Sequence, residues 1–508
     1  MDPHNNLDTV SVPRAEREQT FAQDALIVLS GTMFSQLIFI FSIPIITRLY
    51  GPDAFGIYTL YISLVTIIGI VSCVMYESAI ALPESDDDAV NIFVLSILLT
   101  FCVTIVTFIG IIFGKEYFIN LINAPGLSPY IIYLPISVCI AGSLLALNNW
   151  NIRKKSFGPI GISKVTGSVT TNAFQITNGI YGFGSAGYLV FGYIFGNLFT
   201  ASYLFYSTLK KYHSLFHKKI SLKKIIEGSW RYKVFPIYGT GSEIINVISV
   251  LMPVFLLSMY YSESIVGFYS LGYLTLQVPV AFIAGAIAQV FFSRAVELYH
   301  KKKESLAFLF EQLTRRLFML GFLPFILLFL AGNELCTVIF GPEWSEAGVF
   351  LQILVFWIFL GFITSPLTYL FIIFEKQKFT LLYNGIVLII RLGALVIGGL
   401  SGNIYFTIAL LSAVGSCSYG FIFWWLMKIS NSSIHKIISQ FVPYILFGIP
   451  IAGFIIFTKW ILHPAPIFLF IIGIISAICY YYLSIRDDPE LRNVISDFWR
   501  VMTIKPSS

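Results

Sequence analysis

Fourteen apolar stretches of roughly 20 residues, separated by short polar hinges, occupy nearly the whole chain from Leu26 to Leu483. A hydrocarbon core about 30 Å thick is crossed by about 20 helical residues, so each stretch is long enough to span a bilayer. The expected fold is therefore all-α: a polytopic membrane protein with about 14 transmembrane helices bundled around a central cavity. Bulk composition agrees, with 57% hydrophobic and 11% charged residues and a mean hydropathy of +0.82. No connecting loop is long enough to fold as a separate soluble catalytic module, so function has to be sought inside the membrane.

The formal net charge of +6 suggests a nucleic-acid partner only until the positions of the cations are considered, because they mark membrane orientation instead. Cys73, Cys102, Cys139, Cys336, Cys417 and Cys479 are scattered and mostly intramembrane without CxxC spacing, which argues against a disulfide framework or a metal site. The polar start, Met1 to Asp24, lacks the basic, apolar and small-residue order of a cleavable signal. The first span then serves as the insertion signal.

Helices are expected near residues 26–47, 54–78, 90–113, 130–150, 159–181, 186–209, 234–259, 265–292, 307–331, 347–373, 379–400, 403–427, 440–458 and 466–484. An even count puts both termini on one side. Placing them in the cytoplasm assigns roughly 27 of the 32 Lys and Arg residues to cytoplasmic segments, with Arg48, Lys115 and Lys459 outside and Lys164 and Arg391 within helices. The acidic turn at Glu84, Asp86, Asp87 and Asp88 also falls inside. The outer connections, the longest around 114–129 and 332–346, are short.

The chain also repeats itself. Gly56-Ile57-Tyr58-Thr59-Leu60 opens the second helix and Gly267-Phe268-Tyr269-Ser270-Leu271 the eighth, while Lys154-Lys155-Ser156-Phe157 before the fifth echoes Lys376-Gln377-Lys378-Phe379 before the eleventh. Two six-helix lobes, 26–209 and 234–427, are thus expected to be related by a pseudo-twofold axis along the membrane normal. A basic linker at 210–233 joins them, helices within 428–484 form an appendage, and polar segments 1–25 and 485–508 flank the whole. Pro44 and Pro253 sit at nearly equivalent places in the two lobes and are hinge candidates.

Three ionisable side chains lie deep in apolar stretches: Lys164, Glu243 and Arg391. Each costs several kcal/mol facing lipid and is expected to face a wet interior. Lys164 stands about 10 Å and Arg391 about 18 Å beyond the matching Phe157 and Phe379, so two cations project from equivalent helices at different depths. An elongated anionic, phosphate-bearing ligand suits them, with Arg48 and Glu77 near the rims and amides such as Gln36 and Asn172 adding hydrogen-bonding capacity. Outward movement of two negative charges from an inside-negative cytoplasm is favoured by about 4.6 kcal/mol per 100 mV. A salt bridge from Glu243 to either cation, and interhelical bonding by the amides, are the structural alternatives.

Catalytic signatures are weak. Gly110-Ile111-Ile112-Phe113-Gly114-Lys115 lacks Walker spacing, Gly182-Phe183-Gly184-Ser185-Ala186-Gly187 joins two spans and follows no strand, and His213 and His217 lie in a lysine-rich loop. Gly192 and Gly196 read as a close helix contact. No catalytic residues, cofactor or metal site are expected, and the protein reads as a non-enzyme; a coupling Na+ or H+ is left open.

The segments Ile46-Thr47-Arg48-Leu49-Tyr50-Gly51-Pro52-Asp53-Ala54-Phe55-Gly56-Ile57-Tyr58, Tyr76-Glu77-Ser78-Ala79-Ile80-Ala81-Leu82-Pro83 with the acidic turn after it, and Phe340-Gly341-Pro342-Glu343-Trp344 through Leu351-Gln352-Ile353-Leu354 resemble those of Wzx-type polysaccharide flippases, of the multidrug/oligosaccharidyl-lipid/polysaccharide exporter superfamily. The resemblance implies alternating access and translocation of an undecaprenyl-pyrophosphate-linked oligosaccharide across the bacterial inner membrane, for O-antigen, capsule or exopolysaccharide assembly. It implies cationic residues for the pyrophosphate, Arg48 in a matching motif among them, and membrane partners such as a polymerase and chain-length machinery. A cation-coupled multidrug antiporter is the sister alternative and calls for cavity carboxylates. A membrane polymerase or glycosyltransferase, the alternative from another class, needs a sizeable outer loop or a metal-nucleotide site.

Overall fold

The computed structural model describes residues 14–182, 184–301, 303–462 and 465–487, which are helical nearly throughout and contain no strand. Thirteen stretches are long and apolar enough to cross a membrane. The helices matching the expected spans are α1 (Arg14–Leu49), α2 (Pro52–Ser72), α3 (Asp86–Leu121), α4 (Leu134–Arg153), α5 (Phe157–Ile180), α6 (Ala186–Lys218) and α7 (Thr240–Tyr260). They continue as α8 (Glu263–Pro279), α9 (Lys303–Phe340), α10 (Ser345–Thr364), α11 (Gln377–Leu400), α12 (Ile404–Ile429), α13 (Ile434–Phe457) and α14 (Pro466–Asp487). Only α5 is missing from the thirteen apolar stretches, although its 24 residues suffice to span. Its sequence, with Ser163, Lys164, Thr166, Ser168, Thr170, Thr171, Asn172, Gln175, Thr177 and Asn178, is too polar for the surface of a lipid-facing helix. It packs instead against α1 and α6.

Several boundaries move relative to the sequence expectation. Arg14 to Asp24, expected as polar extension, is the start of α1, while residues 1–13 of that extension and 488–508 of the expected tail lie outside the described residues. The outer segments near 114–129 and 332–346 are partly helical, because α3 runs for 36 residues and α9 for 38. At about 1.5 Å per residue both outreach the hydrocarbon core, and α9 breaks its helical course at Ala331. The 210–233 linker holds the end of α6 and a ten-residue helix, Leu222–Arg231.

Contacts divide the chain into two compact units. Of the described residues, one takes in those up to Tyr50 together with Tyr61–Phe118 and Leu127–Val247; the other takes in Gly51–Leu60, Ile119–Gly126 and those from Ile248 onward.

In the first unit, small residues let α5 lie close to both neighbours. A Cβ on Gly31 of α1 would stand 2.5 Å from Gly161 Cα, and one on Gly196 of α6 would stand 1.8 Å from Thr171 Oγ1, so the Gly192/Gly196 spacing does mark a close helix contact. In the same unit, Trp150 is fully buried among Phe93, Ile92 and Leu204. The acidic turn is neutralised there: Asp86 takes Arg153 and Lys154, Asp87 takes Lys219 at 2.8 Å and Asp88 takes Lys224 at 2.9 Å. Hydrogen bonding to Asp88 holds the Lys224 ammonium above its ordinary pKa. Arg153 also donates to the carbonyls of Ile80, Ala81 and Pro83, closing the chain reversal before α3.

In the second unit, the two copies of the repeated motif meet. Gly56 at the start of α2 and Gly267 at the start of α8 interlock: a Cβ on Gly56 would lie 1.8 Å from the Glu263 carbonyl oxygen, and one on Gly267 would lie 2.1 Å from that of Pro52. Asp53 accepts a hydrogen bond from Ser264, its counterpart 211 residues later. Such reciprocity, in which i meets j and the equivalent of j meets the equivalent of i, is the signature of a local twofold relation. Trp344 seals the crossing, fully buried and edge-on to Phe55 at 5.5 Å and Phe268 at 6.0 Å. Glu263 adds a carboxylate that accepts the Gly126 N–H at 2.8 Å.

Candidate functional site

Helix α5 carries Lys164 against α1. Their faces advance in the same direction: Lys164 Nζ donates to Thr32 Oγ1 at 3.2 Å, Ser168 Oγ donates to the Ser35 carbonyl at 3.2 Å, and Tyr50 Oη donates to the Gln175 carbonyl at 2.7 Å. No carboxylate pairs with Lys164 among the described residues, so its half-buried charge is met by a neutral hydroxyl. Arg48 lies in the last turn of α1 and is exposed. Sixteen residues separate it from Thr32, about 24 Å along the helix. A pyrophosphate is far shorter, so Arg48 and Lys164 form two stations and not one clamp. Pro44 is half-buried inside α1 between them.

The amides behave differently from one another. Gln36, one turn beyond Thr32, is exposed. Asn172 is buried and spends its Nδ2 donor on the Ser168 carbonyl of its own helix at 2.7 Å, whereas Gln175 reaches across to the Leu189 carbonyl at 2.9 Å. Both of the latter therefore act within the helix packing. Glu243 is half-buried in the first turn of α7, just after a π-helical stretch, Phe235–Gly239.

Glu77 occupies the short helix Tyr76–Ala79, which follows two left-handed residues, Val74 and Met75. Left-handed non-glycine residues are strained, and such strain concentrates at functional positions. The side chain is 5% exposed and Oε2 has no hydrogen-bond partner. Burial pushes the Glu77 carboxyl above the usual carboxylate range.

In the second unit, Arg391 of α11 repeats the pattern of Lys164. Its Nη1 donates to Ser249 Oγ of α7 at 3.4 Å, and Nε is buried without a partner. Pro253, buried one turn further along α7, has no N–H to donate to the Ser249 carbonyl. The guanidinium lies over Trp357 of α10, 5.1 Å from the ring centroid, and Gly415 leaves room for that ring to settle on α12. Tyr273 packs on Trp357 at 6.0 Å, stacks on Tyr269 at 5.8 Å and accepts from Gln277 at 2.8 Å. Cation–π stacking fixes the plane of Arg391. Trp357, Tyr269, Tyr273 and Ser249 went unnoticed as site residues in the sequence, because nothing in their spacing distinguishes them from the many aromatic and hydroxyl side chains of membrane helices.

The sequence pattern of the family described as "Polysaccharide biosynthesis protein" matches residues 45–349. No curated relative matches the chain. Among solved structures, the chain is similar to the lipid II flippase MurJ in an inward closed conformation, with 13% identity and a TM-score of 0.67 over 92% of this chain and 100% of that one. It is similar to an inward-facing multidrug resistance MATE family transporter of the MOP superfamily, with 15% identity and a TM-score of 0.59 over 80% of this chain and 98% of that one. A MOP superfamily transporter from Pyrococcus furiosus, described as having a binding pocket of reverse polarity, matches with 14% identity and a TM-score of 0.53 over 80% of this chain and 94% of that one. At such identities the likeness is one of fold. With the family pattern covering well over half of its length, the chain belongs to the polysaccharide biosynthesis protein family and carries the polytopic fold shared by MurJ and MATE transporters.

Proposed function

We propose that the protein is a flippase that carries undecaprenyl-pyrophosphate-linked oligosaccharide units from the cytoplasmic to the outer leaflet of the bacterial inner membrane by alternating access. The observation that carries this reading is the matched pair of membrane-embedded cations, each held by a hydroxyl: Lys164 on Thr32 and Arg391 on Ser249. A cation left without a carboxylate in low dielectric is poised for an anion. Family membership supports a role in surface polysaccharide assembly, with O-antigen, capsule and exopolysaccharide as the candidate products.

Arg48 and Lys164 of the first unit and Arg391 of the second are the candidate contacts for the pyrophosphate, and Pro44 and Pro253 the candidate hinges for the movement. The distribution of Lys and Arg supports a cytoplasmic position for both termini. Glu77 is the foremost coupling candidate, since a buried carboxyl with one unpartnered oxygen suits H+ or Na+, and Glu243 and Gln36 follow it. Direct partners would be the polymerase and chain-length machinery that consume the flipped units. Deletion with complementation tests the reading: cells lacking the protein should lose surface polysaccharide and accumulate lipid-linked repeat units, and retention of the polysaccharide without accumulation overturns it.

A further inference from the structure

The Asp86–Asp88 triplet neutralises Arg153, Lys154, Lys219 and Lys224, and leaves Lys210 and Lys211 near the end of α6 with no carboxylate among the described residues. These two lysines line a groove of about 470 Å³ together with Tyr203, Tyr206 and Ser207. The five residues fall at i, i+3, i+4, i+7 and i+8, one continuous face of the helix. Both ammonium groups are held in place. Lys210 Nζ lies 6.0 Å from the centre of the Tyr206 ring, while Lys211 Nζ donates to Ser156 Oγ at 3.2 Å and lies 5.5 Å from the Tyr212 ring, where α6 breaks its helical course.

The order along the helix is that of a lipid. The lysines stand where α6 leaves its apolar stretch, the Ser207 hydroxyl one turn deeper, and Tyr203 about 10 Å deeper. On the same face the Tyr206 ring, about one turn below Lys210, is 64% exposed. Positive charge at the surface, hydroxyls below it and apolar rings beneath complement a phosphate headgroup, its ester region and its chains in turn.

We propose that this groove binds the phosphate of a membrane lipid headgroup, with Lys210 and Lys211 supplying the charge, Ser207 and the tyrosine hydroxyls the hydrogen bonds, and the Tyr203 and Tyr206 rings the contact with the chains. The site needs only that α6 spans the membrane, so it stands independently of the transport reading. A phospholipid and a polyprenyl phosphate share this chemistry.

Native mass spectrometry of the purified full-length protein tests it, with dioleoylphosphatidylglycerol, undecaprenyl phosphate and the phosphate-free dioleoylglycerol as probes. The wild type should retain one phosphate-bearing lipid in preference to dioleoylglycerol. K210Q/K211Q should weaken that retention roughly thirtyfold, while K376Q/K378Q, which removes the same charge elsewhere, should leave it unchanged. Loss of phosphatidylglycerol in K210Q/K211Q marks the occupant as a phospholipid, and loss of undecaprenyl phosphate alone marks it as the polyprenyl lipid; either supports the site. Equal retention by wild type and K210Q/K211Q, an equal loss in K376Q/K378Q, or equal retention of dioleoylglycerol overturns it.

Discussion

Lys164 Nζ donates to Thr32 Oγ1 at 3.2 Å, tying an intramembrane ammonium on α5 to a hydroxyl on α1. If that charge serves an anionic substrate, Lys164→Gln, which keeps a donor but removes the charge, should lower export roughly 10- to 100-fold, the range of one lost charge-assisted hydrogen bond. Thr32→Val should have a far smaller effect. The check is surface polysaccharide per cell at matched protein levels; wild-type export by the Gln variant removes Lys164 from the mechanism.

Arg391 is held differently, by its stack on Trp357 as well as by Ser249. Lysine preserves the charge but not the plane, so Arg391→Lys should impair export by about tenfold even though the charge is conserved. Trp357→Leu should impair it too, because the platform is lost. Export equal to wild type in both variants would show that the stack has no part in transport.

The interlocked Gly56 and Gly267 leave no room for a methyl group. Gly56→Ala should destabilise the α2/α8 contact by about 1–3 kcal/mol, as overpacking does. A thermal melt of the detergent-solubilised protein reads the shift. Paired cysteines at Asp53 and Ser264, whose side chains already touch, should crosslink under mild oxidation in membranes; failure to crosslink would place this contact outside the populated state.

For Glu77, burial raises the folded carboxyl above its unfolded value. The folded state then binds more protons than the unfolded state, so stability is greatest below the ordinary carboxylate pKa of about 4.3 and falls as pH rises through the window between the two values, by at most about 1.4 kcal/mol per pH unit. Glu77→Gln should flatten that part of the melting-temperature profile. A profile with the same slope in the variant would assign the effect to another group.

Much of the architecture was legible before folding was considered. A run of about 20 apolar residues reports a spanning helix without reference to any neighbour, because the bilayer supplies the environment that a partner supplies in a soluble protein. All fourteen expected spans coincide with helices, including α5, whose polar face packs against α1 and α6. The glycines of the repeat were visible as well, but their meeting was not, since residues 211 apart come together only when two helices cross.

Helix extents beyond the bilayer escaped the sequence, because hydropathy ends at the membrane surface while helical hydrogen bonding does not, so α3 and α9 continue through segments that read as loops. The ionisable groups divide in the same way. Composition and depth singled out Lys164 and Arg391, since a buried charge is costly wherever it lies. Their partners Thr32, Ser249 and Trp357 and the enclosure of Glu77 depend on which faces of which helices touch. That is a property of packing in three dimensions, to which a one-dimensional pattern of polarity is blind.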